Sequence, residues 1–166
     1  MLQRIFAFVF VVAFAPTLIL AQGANISLGG GAHDTQQPVE VSADSLDINQ
    51  EDGSALFSGN VVVIQGDVRL AAEDVRVLYS TGDEGGAGQI DTIRATGGVT
   101  LVTQAEAAES SDAEYAVASG DIVMTGNVLL TQGINTLGGD RLVIDLETGT
   151  GRMEGNVRTI FQSSEN

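Results

Sequence analysis

The chain of 166 residues contains no cysteine, no tryptophan and a single histidine, His33. Without thiolates, and with one imidazole, neither a Cys/His zinc site nor a Ser-His-Asp set can be assembled, and disulfides are excluded. Lysine is absent too: all seven basic residues are arginines, set against 22 acids for a net charge of −15. That balance opposes binding to nucleic acid, where basic patches supply most of the affinity. Most of the acids fall on turns and outward strand positions, as with Asp47, Asp67, Asp145 and Glu147, where they keep a β-rich surface from associating.

Other candidate chemistry is also missing. The acid pairs Glu51–Asp52 and Asp83–Glu84 lie in turn sequences. "GDEGGAG" (82–88) is glycine-rich but lacks the lysine and following helix of a phosphate loop. "DLETGTG" (145–151) lacks the spaced acids of an EF-hand. The expectation is a protein that is not an enzyme, with no metal site and no cofactor.

The N-terminus reads "MLQRIFAFVFVVAFAPTLILAQGA": Arg4, then an apolar run from Ile5 to Ala21. This is the pattern of a secretory signal peptide over residues 1–21, cleaved after Ala21 or Ala24. Its apolar run of 17 residues falls short of the roughly 20 that span a bilayer, which disfavours the alternative of an uncleaved anchor. Residues 22–38 lack periodicity and are expected to be flexible. Residues 39–162 form one domain of ordinary size, followed by a short tail, 163–166.

Within the domain one phrase recurs: "GNVVVIQG" from Gly59, "GGVTLVTQ" from Gly97, "GNVLLTQG" from Gly126 and "GNVRTIF" from Gly155. Asp44, Ser111 and Asp140 each lie 15 residues before one of these glycines, and Glu73 lies 24 before Gly97. The excess of nine in that unit fits the loop insertion around 82–88. Between these markers apolar residues fall at every second position, the signature of strands. A glycine repeated once per unit on the inward parity bends the sheet at the same place in each layer. The expected fold is all-β: a repeat-built, twisted open β-jellyroll, a solenoid-like stack of short antiparallel strands.

The motifs "PVEVSADSLDIN", "GSALFSGNVVVIQGDVRLAAEDVRVLY" and "GDRLVIDLETGTGRMEGNVR", in that order, span nearly all of residues 38–161. Together they resemble the OstA-like family of lipopolysaccharide-transport proteins. The resemblance implies a periplasmic, lipid-binding carrier in outer-membrane biogenesis, whose apolar interior holds the acyl chains of lipid A. It also implies end-to-end docking with an LptC-like protein at the inner membrane, with an LptD-like protein at the outer membrane, and head to tail with further copies.

On the parity of the repeat, the groove residues are Ile48, Phe57, Val61, Val63, Val77, Ile93, Val99, Leu101, Ile122, Met124, Val128, Leu130, Leu142 and Ile144. The docking edges are expected in the first and last strands, at Val39, Val41, Val157 and Ile160, where unpaired backbone groups can add a partner's strand. The six arginines of the domain fall on the opposite parity or in turns. Two readings stand beside this one: an LptC-like protein anchored by residues 5–21, and a structural β-solenoid with a dry core that binds no lipid.

Overall fold

A computed structural model describes residues 24–27, 37–80 and 88–160. The expected signal peptide, His33, the 82–88 insertion up to Ala87 and the 163–166 tail lie outside the described residues. Among the described residues, eleven strands form one antiparallel sheet: β1 (Ala24–Ser27), β2 (Val39–Ser42), β3 (Ser45–Asn49), β4 (Ser54–Gln65), β5 (Val68–Tyr79), β6 (Ile90–Val102), β7 (Glu106–Ala116), β8 (Asp121–Gln132), β9 (Asn135–Asp145), β10 (Thr150–Glu154) and β11 (Arg158–Ile160). From β4 to β9 the order along the sheet is the order of the chain, a plain meander.

The strands β4–β9 are longer than the repeat alone suggests, because each runs through a bend at its middle. The bend is built where the repeat places its glycines. Gly59 and Asn60 both have positive φ, 81° and 47°, as do Gly97 and Gly98, Gly126 and Asn127, and Gly155 and Asn156. At each of these bends the bulged strand carries one residue more than its neighbour, two against one beside Ser58 and Thr125 and three against two beside Ala71 and Glu109. One extra residue is a β-bulge, which kinks a strand and raises its twist. Stacked in one column, the bulges fold the sheet over into two wings.

The residue opposite each bulge is the one set apart by the sequence spacing. A Cβ on Gly59 would lie 2.6 Å from Asp44 Oδ2, and a Cβ on Gly126 would lie 2.6 Å from Ser111 Oγ. Asn60 and Asn156 tolerate the left-handed region because their short amides bond locally: each Nδ2 donates to an oxygen of Asp44 (2.7 Å) or Asp140 (2.8 Å). The backbone closes the same corner, with Asp44 N–H donating to Gly59 O and Asp140 N–H to Gly155 O, both at 3.0 Å.

Wing one holds β3, β10, β1 and the halves of β4–β9 on their side of the bend; wing two holds β2, β11 and the other halves. Alternation sends every second side chain between the wings, where one hydrophobic core forms. Val61, Val75, Met124, Leu142 and Met153 are fully buried there, each worth about 1.5–3 kcal/mol relative to exposure. Along the corner column Gly139 has no Cβ because Met153 Sδ would lie only 2.7 Å from it.

One strand falls where none was expected. Residues 24–27, within the segment read as flexible, form β1 and pair antiparallel with β10. Ile26 is buried against the core, which outweighs the lack of any periodic signal around it.

Candidate functional site

The inward side chains form continuous rows that cross the strands along the stack. In wing one the register sets Leu46 on Phe57, then Val75, Ala95, Ala113, Met124, Leu142 and Met153 in turn. In wing two a second row starts at Val41 and passes through Val63, Leu70, Leu101, Ala108, Leu130 and Leu137. The first row is apolar from β3 to β10; the second is apolar from β2 to β9 and ends on Thr159, which pairs with Leu137 in β11.

Of the groove residues expected from sequence, Val61, Val63, Val77, Ile93, Val99, Leu101, Ile122, Met124, Val128, Leu130, Leu142 and Ile144 are buried between the wings. Phe57 is partly buried against them. Ile48 is different. It stands on the inward parity, paired with Ala55, yet is 69 % exposed, because β3 is the first layer of wing one and no strand among the described residues covers it. Two surface recesses, of about 640 Å³ and 430 Å³, lie on the outer face of wing one beside Arg141, Arg152 and Arg94. The arginines face outward, and Arg94 and Arg141 are paired with Glu114 and Glu154 at 2.8 Å.

Opposite the corner, the free margins of the wings form a mouth. Here wing two turns polar at Gln65, Glu106 and Gln132, while on wing one Tyr115 stands between Ile93 and Ile122. Tyr115 O–H, near the end of β7 in wing one, donates to Gln65 Oε1 at the end of β4 in wing two, at 2.7 Å. Gln65 Nε2 in turn donates to Gln37 O at 2.9 Å. Further along, Thr103 Oγ1 donates to Glu106 Oε2 (2.7 Å), and Gln132 Nε2 donates to Glu106 Oε1 (3.1 Å) and to Ser27 O of β1 (2.8 Å). Gln65 and Glu106 are buried. Burial pushes the Tyr115 phenol above its ordinary pKa, so it remains a donor across the neutral range.

A family model described as "LptA/(LptD N-terminal domain) LPS transport protein" matches residues 40–150. The chain belongs to this family. An uncharacterized protein of Rhizobium meliloti (strain 1021) is 30 % identical over 161 residues, covering 92 % of this chain and 87 % of that protein. The lipopolysaccharide export system protein LptH of Pseudomonas aeruginosa is 27 % identical over 146 residues, 81 % of each chain. LptA of Escherichia coli K12 is 27 % identical over 134 residues, 75 % of this chain and 70 % of that one. The crystal structure of Pseudomonas LptH, an LptA-homologous periplasmic component of the lipopolysaccharide transport device, covers 78 % of this chain and 99 % of its own, with a TM-score of 0.68 at 20 % identity. That likeness shows the fold.

Members of the LPS transport family are transport proteins, not enzymes. The residues that sequence reasoning missed are those of the mouth. Tyr115 sits in the polar-looking strand "EAAESSDAEYA", and its partner Gln65 lies 50 residues away. Parity marks Tyr115 as inward, but nothing local marks the bond. Met153 was legible: in "RMEGN" it stands two residues before the glycine, as Phe57 does.

The residues expected at the docking edges lie in the first and last layers of wing two. Val39 and Val41 lie in β2, which pairs only with β4 among the described strands. Ile160 lies in β11, 62 % exposed and paired with Thr136, while Val157 lies just outside that strand. The wing-one part of the last layer, β10, is covered by β1.

Proposed function

We propose that this protein is a periplasmic lipopolysaccharide carrier that shelters lipid A acyl chains between its wings and bridges inner- and outer-membrane transport components. The observation that carries this reading is the pair of apolar rows running along the stack from β4 to β9, in a chain of the LPS transport family. An alkyl chain lying along such rows keeps each CH₂ from water, about 0.8 kcal/mol apiece. Transport by this route needs no reacting group, only a continuous apolar path and ends that join.

The wings are closed on one another, with their side chains packed at the centre. Entry of an acyl chain therefore requires the wings to part at the mouth, where side-chain hydrogen bonds rather than backbone hold them. Tyr115–Gln65 and Gln132–Ser27 are the bonds that such opening breaks. The headgroup, rich in phosphate, stays outside in solvent. At the ends, β2 with β3 and β11 with β10 dock by strand addition to LptC-like and LptD-like partners and to further copies.

The filled core also favours a second reading, a structural β-solenoid that binds no amphiphile. Photo-crosslinking in cells separates the two, with a crosslinking residue at Val128 and a control at Leu129, which is 41 % exposed. Lipopolysaccharide adducts at Val128 and not at Leu129 are the expected outcome. Adducts at neither position in a folded protein would return the dry solenoid.

A further inference from the structure

The repeat makes the two ends of wing one directly comparable. β4 and β10 both lead into a Gly-Asn corner, Gly59–Asn60 and Gly155–Asn156, so Phe57 corresponds to Met153 and Ala55 to Gly151. At the N-terminal end β3 lies antiparallel on β4, with Leu46 on Phe57 and Ile48 on Ala55. At the C-terminal end β1 lies antiparallel on β10, with Ala24 on Met153 and Ile26 on Gly151. β1 therefore occupies, in direction and in register, the place that β3 would take in one further layer of the stack. Its sequence "ANIS" follows "LDIN" of β3 position by position, with Asn25 for Asp47 and Ile26 for Ile48.

The opposite end of the molecule carries the matching unfilled surface. Leu46 and Ile48 are on the inward parity yet 50 % and 69 % exposed. If a second copy continues the stack, its β3 falls on β10 and its β2 falls on β11. That register sets Leu46 on Met153, Ile48 on Gly151 and, on the outer face, Asp47 opposite Arg152. β1 instead offers Ala24, Ile26 and the neutral Asn25 in those three places. The incoming strand thus has the larger apolar contact and an opposite charge for Arg152, and β2 adds a second segment that β1 lacks.

We propose that β1 is a built-in plug of the C-terminal docking edge: Ala24–Ser27 holds on β10 the site that fits β3 of a second copy, and that copy docks by displacing it. This rests on the end-to-end docking proposed above. Plugging covers an edge that would otherwise template unwanted strand pairing. It also lowers the apparent docking affinity by the fraction of chains whose edge is free.

The test uses the exported chain, from Gln22 onward, in sedimentation velocity over a concentration series. The protein has no cysteine of its own, so the exposed pair Asn25→Cys with Arg152→Cys, cross-strand neighbours in β1 and β10, can be oxidised to lock the plug. Locking is expected to weaken head-to-tail association at least tenfold, and reduction of the same sample to restore it. Deletion of residues 22–28 is expected to strengthen association at least tenfold. Association that is the same in locked, reduced and deleted chains overturns the plug. The double variant Leu46→Asp with Ile48→Asp, made in the deleted chain, tests the docking itself. Its loss of association with no effect of the lock would leave end-to-end docking standing without the plug, whereas association unchanged by it would remove the docking.

Discussion

Along the corner the two wings are joined by their own backbone; along the mouth they are joined by side chains. The corner is a column of positive-φ pairs, each covered by the side chain opposite, with Gly59 under Asp44 and Gly97 under Glu73. Pulling the wings apart there would break ladder bonds on both sides of each register shift. The mouth is spanned by Tyr115–Gln65 and by Gln132 reaching Ser27, bonds that exchange for water when the wings part. A net side-chain hydrogen bond is worth about 0.5–1.5 kcal/mol, while a corner residue forced out of its conformation costs about 1–3 kcal/mol. On the carrier reading proposed above, this difference assigns the bending to the corner and the opening to the mouth.

The largest effect is expected in the core beside the corner, where Met124 and Val128 flank Gly126 and Asn127. Met124 is fully buried, and Met124→Arg places an unpaired guanidinium between the wings at a cost above about 4 kcal/mol. Loss of a cooperative thermal transition, measured by circular dichroism, is the expected result; a native-like transition would mean that the wings already separate freely there. Val128→Asp acts in the same way, and any folded fraction is expected to capture no lipopolysaccharide.

The corner itself offers a pair of adjacent glycines with opposite predictions. Gly97 has φ +84° with Glu73 Cβ 2.6 Å from where its own Cβ would stand, whereas Gly98 has φ +79° and open space. Gly97→Ala is expected to destabilise by about 1–3 kcal/mol. Gly98→Asn restores the residue present at Asn60, Asn127 and Asn156, and is expected to be neutral or to stabilise by up to about 1 kcal/mol. Urea midpoints at unchanged m-value check both; equal losses would show that covering by Glu73 contributes nothing.

At the mouth, Tyr115→Phe removes the bridge while leaving Gln65 buried, an expected loss of about 1 kcal/mol, with faster uptake of lipopolysaccharide in a stopped-flow assay. Slower uptake would place entry elsewhere. Tyr115 also sets an alkaline limit. Its folded pKa is raised by burial, so the unfolded chain ionises first, and its contribution is complete below the ordinary tyrosine pKa and falls as pH rises through the folded value. Tyr115→Phe is expected to flatten that part of the stability profile.

The smallest effect is expected at a turn on the margin of wing one. Thr148 N–H donates to Asp145 Oδ1 at 2.9 Å, and this bond, helped by the Thr148 side chain, lowers the Asp145 pKa. Its contribution is present above the unfolded carboxylate pKa and is lost as pH falls through the folded one. Asp145→Asn is expected to remove that acid dependence with little change at neutral pH, read from melting temperatures at pH 7 and pH 3.

Much of the fold was legible because period-two alternation and a fixed spacing are local properties. Twelve of the groove residues assigned by parity are buried between the wings, since inward parity propagates along a strand whatever its neighbours are. The 15-residue separation from Asp44 to Gly59, and from Asp140 to Gly155, is the length of one hairpin measured from corner to corner, as the contacts between these residues bear out. Ile48 departs from the pattern because parity says which way a side chain points and not whether a further layer covers it.

The amino-acid sequence alone determined the all-β class, the repeat, the corner and the inward face, because each repeats within the reach of a hairpin. Tertiary structure alone decided how the stack is finished. It joins Tyr115 to Gln65 across the mouth, returns Ala24–Ser27 to the edge of β10 and leaves Leu46 and Ile48 bare at the other end. These pairings involve segments about 50 to 130 residues apart, each occurring once, so they leave no period to read. They are set by which unpaired edge and which uncovered apolar row remain after the sheet has folded over.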